Sequence, residues 1–123
     1  MVDVATARRL ATALPEVEDR SDDRRLVFEV GGKGFAWSFN LRVHPKKPRV
    51  PQLEVLAVRC PIEKKEMLVE AAPERFFDDD HYRGFPAVLV RLPRIDEDEL
   101  AGLLRDAWRL QASKALRAAR PDV

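Results

Sequence analysis

A single cysteine, Cys60, leaves no partner for an intramolecular disulfide, so the fold has to be held by its core rather than by cross-links. No apolar run approaches the roughly 20 residues a membrane-spanning helix needs. Net charge is nearly absent: 22 basic against 21 acidic residues leave +1, with a pI near 7.9. A dedicated nucleic-acid domain often has a pI above roughly 9, so any basic surface here must come from segregation of charge along the chain. Met1-Val2-Asp3-Val4-Ala5 has no basic stretch leading into an apolar core, so no secretory signal is expected and the cytoplasm is the expected compartment. Gly-x-Ser-x-Gly, a phosphate loop and a dinucleotide fingerprint are all missing, so no catalytic residue and no cofactor is indicated.

What is present fits one globular domain over residues 1–123. Hydrophobic residues at 46% and charged residues at 35% separate it from disordered chains, and this length supports a core without metal or disulfide. Charge is segregated. Acids gather at Glu16 to Asp23, Asp78 to Asp80 and Asp96 to Glu99, and bases at Arg42 to Arg49 and Arg109 to Arg120.

The element signals run in a clear order. Asp3 is placed to cap a helix carrying Ala7, Leu10, Ala11 and Leu14 on one face, stopped by Pro15. Glu16 to Asp23 reads as a polar connection. Arg25–Val30 and Phe35–Phe39 read as strands joined through Gly31-Gly32-Lys33-Gly34, glycines accepting the positive φ of a tight hairpin. Alternation predicts that Phe35, Trp37 and Phe39 point inward together. Leu53–Arg59 is a third strand. Pro61 opens a second helix, with Ile62, Leu68, Val69 and Ala72 as its apolar face and Pro73 as its end. Phe76-Phe77 forms a short strand and Ala87–Leu92 a central one. Asp96 with Glu99 makes a capping-box pattern, and Ile95 with Leu100 a hydrophobic staple. Leu100, Leu103, Leu104, Ala107 and Trp108 form a buried stripe, which breaks near Ala112-Ser113 before a short terminal helix capped by Ser113. The expectation is an α+β fold, an antiparallel sheet with helices on one side in the order α-β-β-β-α-β-β-α plus a short C-terminal helix.

The chain resembles the MmcQ/YjbR family of small bacterial proteins. The match is carried by Phe28-x-Val30-x-Gly32-Lys33-x-Phe35-Ala36, by Val58 with Pro61-Ile62-Glu63-Lys64-Lys65-Glu66, and by Ala72-Pro73-Glu74-x-Phe76-Phe77. It continues through His81-Tyr82-x-Gly84-Phe85-Pro86-Ala87-Val88-Leu89-Val90-Arg91-Leu92, then Asp98-Glu99-Leu100 and Ala107-Trp108-Arg109. The resemblance implies a two-layer, secretion-chaperone-like fold and DNA binding through a double wing of β-hairpins. It brings no catalytic residue with it. Asp79-Asp80 depart from the pattern, standing where relatives have small neutral residues or proline, and would repel a phosphate approaching that loop.

The leading site candidate is Arg42-Val43-His44-Pro45-Lys46-Lys47-Pro48-Arg49-Val50-Pro51, with four fixed positive charges and no acid. Its prolines follow the three-residue period of a polyproline II ribbon, and Arg42, Lys46, Lys47 and Arg49 on such a wing would contact phosphates without reading sequence. Lys33 at the glycine turn is a second phosphate contact from the other wing. The plainer reading is a solvated loop that proline keeps from edge pairing. Arg42-x-x-Pro45-x-x-Pro48 also matches the Arg-led pattern of proline-rich ligands. Trp37 and Phe39 beside this segment offer stacking surfaces for unpaired bases. His81 with Asp78, Asp79 and Asp80 falls short of the three or four converging ligands of a metal site, so no metal is expected and His81-Tyr82 reads as a structural turn. Cys60 reads as a small buried apolar residue. Two functions follow: a non-enzymatic nucleic-acid-binding protein, or a protein-interaction module of chaperone type. Neither involves a membrane, and the oligomeric state is left open.

Overall fold

The computed structural model describes residues 1–41 and 50–123. Six antiparallel strands form one sheet: β1 (Val17–Asp19), β2 (Val27–Val30), β3 (Lys33–Leu41), β4 (Val50–Arg59), β5 (Phe76–Phe77) and β6 (Ala87–Arg91), in the spatial order β1-β2-β3-β4-β6-β5. Helices α1 (Val4–Thr12), α2 (Ile62–Ala71), α3 (Glu97–Gln111) and α4 (Lys114–Ala119) complete it. The α+β expectation holds, with one strand more than the sequence suggested. Glu16 to Asp23 is not all connection, because Val17–Asp19 pairs with Val30–Phe28 at the sheet edge. Its charges hid it: Val17 alone turns to the core, while Arg20 bridges Glu18 and Glu29 on the wet side.

The helix ends follow local chemistry. The Asp3 carboxylate accepts from Thr6 N–H at 2.7 Å, Asp96 from Glu99 N–H at 2.7 Å, and the Ser113 hydroxyl from Leu116 N–H at 3.1 Å. Each satisfies a donor the first turn cannot. Only half of the expected capping box forms. Glu99 turns away to pair with Arg75 through two contacts of 2.6 and 3.2 Å, since a forked guanidinium offers two parallel charge-assisted bonds.

The main core lies between α1, α3 and one sheet face. Phe28, Val30, Phe35, Leu56, Val58, Val88 and Val90 meet Leu100, Leu104, Ala107 and Trp108 there. Trp108 is fully buried and its indole N–H donates to Pro15 O at 2.9 Å. Burying a ring of that size stabilises by about 4–6 kcal/mol as an upper bound. Pairing of β2 with β3 slips between Phe28 and Glu29. As a result Phe35 and Ala36, neighbours in sequence, both face the helices, and Trp37 and Phe39 face the opposite side. The three rings therefore do not point inward together, because the slip breaks their alternation.

Beyond the end of the β2–β3 ladder a side chain takes over. Ser38 is buried, its hydroxyl accepts from Leu26 N–H at 2.7 Å, and its own N–H donates to Leu26 O at 2.9 Å. Ser38→Ala strands a buried N–H, so it is expected to destabilise by about 1–3 kcal/mol, read as a lower urea midpoint with an unchanged m-value.

Candidate functional site

The second sheet face is where uncommitted chemistry collects. Trp37 and Phe39 come from β3, Val55 and Ala57 from β4, Ala87 and Leu89 from β6, and Phe77 from β5. Alternation places Arg59 of β4 and Arg91 of β6 on this same face. Their guanidinium groups sit over rings, Arg59 at 5.0 Å from the Phe85 centroid and Arg91 at 4.1 Å from that of Phe77. Among the described residues no helix lies across this face as α1 and α3 lie across the other. Its middle is covered by the loop between β5 and β6.

That loop is folded by its own carbonyls and one cation. Tyr82 N–H donates to Asp79 O, Phe85 N–H to Tyr82 O and Ala87 N–H to Phe85 O, and Gly84 takes φ +77°. Lys65 of α2 reaches into it. The side chain is buried, and its ammonium group donates to Tyr82 O at 2.6 Å and Phe85 O at 3.0 Å and pairs with Asp78 Oδ1 at 2.9 Å. An ammonium has three donors, and all three are used. The other acids are engaged as well: Asp79 Oδ1 accepts from Tyr82 N–H, and Asp80 pairs with Arg83.

So held, the loop seats Tyr82 against the sheet. Its hydroxyl accepts from the Trp37 indole N–H at 2.9 Å, and its ring meets Phe39 at 5.9 Å, His81 at 5.4 Å and Phe85 at 5.9 Å. Trp37 and Phe85 stand edge to face at 6.2 Å. Between Trp37, His81, Tyr82 and Phe85 lies a hollow of about 320 Å³, near the lower end of the roughly 300–1,000 Å³ common for ligand sites. Tyr82 is its buried floor; His81 is exposed and Phe85 is 38% exposed.

The structure places the sequence candidates as follows. Lys33 is exposed at the start of β3, paired across the glycine turn with Val30, and has no ion pair among the described residues. Arg42, Lys46, Lys47 and Arg49 lie outside the described residues; the chain leaves the sheet at Leu41 and returns at Val50, which pair with each other. Lys33 and that exit stand at opposite ends of nine-residue β3, about 26 Å apart at 3.3 Å per residue. Trp37 is the midpoint. The Gln111 side chain donates to Gly34 O at 2.9 Å and so brings the α3–α4 junction, with exposed Lys114, to the Lys33 end. Cys60 is buried, and burial pushes its thiol pKa up against the pull of Lys64 and Lys65. Among the described residues no three His, Cys, Asp or Glu side chains converge as metal ligands would.

Comparison with known proteins settles the family. The YjbR family model matches residues 12–110. The chain belongs to the YjbR family. Two uncharacterized proteins, one of Mycobacterium bovis and one of Mycobacterium tuberculosis, are each 34% identical to this YjbR protein over 96 residues, 72% of this chain and 74% of theirs. The crystal structure of Deinococcus radiodurans protein DR2400, a DUF419 domain, resembles it with a TM-score of 0.69 and 25% identity, over 97% of this chain and 88% of that one.

Sequence reasoning missed Lys65, although the signal was there. Lys65, Leu68, Val69 and Ala72 fall at helical spacing on the inward stripe of α2, so a cation stood where an apolar residue belongs. Lys65→Met removes the cation from the Asp78 carboxylate and from two loop carbonyls, and is expected to cost about 3 kcal/mol in urea unfolding, with Trp37 emission shifting as the loop detaches. In Gly84→Ala the new methyl meets nothing within 4 Å, so only the left-handed backbone opposes it, at about 1–2 kcal/mol; the same unfolding measurement checks this smaller loss.

Proposed function

We propose that this YjbR protein binds nucleic acid without catalysing a reaction, with phosphates held by Lys33 at one end of β3 and by Arg42, Lys46, Lys47 and Arg49 beyond the other. The observation that carries this reading is the layout along β3. A cation without an ion pair among the described residues stands at one end, and a segment with four cations and no acid in its sequence follows the other. Aromatic rings and Arg59 lie between them along the strand, on the sheet face opposite α1 and α3, while Lys33, paired with Val30, starts from the helix face. Phosphate binding needs fixed positive charge spaced along a track rather than a high total charge, so a net charge of +1 is compatible with it. The acidic loop is a weaker obstacle than its sequence suggests, because Asp78 and Asp80 are each paired with a cation.

A protein-interaction module is the second reading, and α2 supports it. Ile62 and Met67 are exposed there beside Glu63, Glu66 and Glu70, an apolar and acidic surface suited to a protein rather than to phosphate.

Fluorescence anisotropy with labelled DNA, titrated across salt, separates the two. Binding is expected at low salt, with log affinity falling by about 0.7 per phosphate contact per log unit of salt on single strands and about 0.9 on duplex. Neutralising Lys46, Lys47 and Arg49 together is expected to flatten the single-strand slope by about 2 and to weaken binding. No affinity at low salt, or an unchanged slope in the triple variant, overturns the phosphate reading in favour of the interaction module.

A further inference from the structure

We propose that the hollow between Trp37, His81, Tyr82 and Phe85 receives an unpaired nucleobase, so that the preferred ligand is a single strand laid along β3. The proposal rests on the nucleic-acid reading above and specifies its substrate. The aromatic lining of the hollow and the Arg59 guanidinium beside it fit a base followed by a phosphate. The walls are aromatic, and every base has a π-face to set against them. The Arg59 guanidinium, at 5.0 Å over Phe85, is a flat cation that stacks on rings and binds phosphate. Among the described residues it has no carboxylate partner.

Two features make the hollow a formed site rather than a chance gap between side chains. Trp37 cannot swing freely, because its N–H is held at 2.9 Å by the Tyr82 hydroxyl. Tyr82 is fixed in turn by the Lys65 ammonium on its carbonyl at 2.6 Å. Lys65 therefore positions the rings from behind without touching what enters. A preformed site avoids the ordering cost of assembling rings around the ligand. The hollow also sits at the right place on the track. Trp37 is four residues from Lys33 and four from Leu41, about 13 Å each way, so a strand with a base seated there runs toward both ends of β3. A duplex cannot do this, since its bases are stacked on one another and would have to be extruded first.

Tryptophan fluorescence tests the proposal. Trp108 is fully buried, so quenching by a stacked base reports Trp37. The probes are a short mixed-sequence DNA strand, the same strand annealed to its complement, and adenosine monophosphate. The strand is expected to quench emission and to bind more tightly than the duplex. Phe85→Ala and, should that variant fold poorly, His81→Ala are expected to weaken strand binding about 5-fold or more, the lower end of one stacked base. Met67→Ser, on the far side of α2, is expected to leave strand binding as it was. Equal binding of strand and duplex without quenching overturns the base site while the phosphate reading stands. Binding of neither, with quenching by adenosine monophosphate alone, overturns the single-strand proposal and the phosphate reading together and makes the hollow a free-nucleotide site.

Discussion

The buried Lys65 ammonium is the contact on which the second sheet face depends. Taking an ammonium out of water costs several kcal/mol, and the three contacts it makes, to Tyr82 O, Phe85 O and Asp78 Oδ1, offset that cost. The loop needs the cation as much as the cation needs the loop. Its turns aim two carbonyls at the helix, each already accepting one backbone N–H, and the ammonium meets their second lone pairs and the Asp78 carboxylate. Individual ring contacts above this centre contribute about 0.5–1.5 kcal/mol each. They are worth having only when the backbone that carries Tyr82 and Phe85 is fixed already. Arginine would not serve in this place, since its planar fork cannot spread donors over three converging acceptors as an ammonium does.

The sheet divides its labour through two slips in register. One between Phe28 and Glu29 sends Phe35 to the helices and Trp37 to the loop, after which ordinary alternation keeps Phe39 on the loop side; the other, opposite Ser38 and Phe39, takes up extra residues on β4 between Gln52 and Leu56. Without the first, strict alternation would hold β3 to a single pattern from Lys33 to Leu41. The helical face is sealed by Trp108, Leu104 and Leu100, all supplied by α3, so among the described residues the rings of the central strands that meet solvent lie on the loop side.

Much of the fold was legible because it is written in local chemistry. Asp3, Asp96 and Ser113 announce helix starts whose hydrogen bonds are present, and Gly31-Gly32 announce a hairpin whose φ values are positive. The rest depends on contacts between residues far apart in sequence. Glu99 had a local partner in the capping pattern and took Arg75 instead. Val17–Asp19 has too little apolar character to declare itself a strand, and becomes one because β2 offers an unpaired edge. The hollow was illegible for the same reason: Trp37 and Tyr82 are 45 positions apart, and nothing in either neighbourhood calls for the other. His81-Tyr82 reads in sequence as a structural turn, but the side chain that holds that turn, Lys65, lies outside the segment, which gives no local sign of it.

The acidic run shows how the same residues change meaning once folded. In sequence Asp78, Asp79 and Asp80 are three adjacent charges, which by Coulomb's law would raise a barrier to any polyanion. In the structure Asp78 neutralises Lys65, Asp80 faces Arg83, and Asp79 turns an oxygen onto the Tyr82 N–H. The Asp80–Arg83 pair is open to solvent and adds little stability, yet it still cancels charge at the rim of the hollow. Two of the three acids are thus spent on cations, and the carboxylate that remains is committed to shaping a turn. Outward from this loop face His81 and Phe85 beside Arg59, a ring surface with a cation at its margin and the solvent-open Asp80–Arg83 pair next to it. A fold that first had to hide an ammonium ends by presenting that surface, because the residues that satisfy Lys65 are the ones that carry the rings.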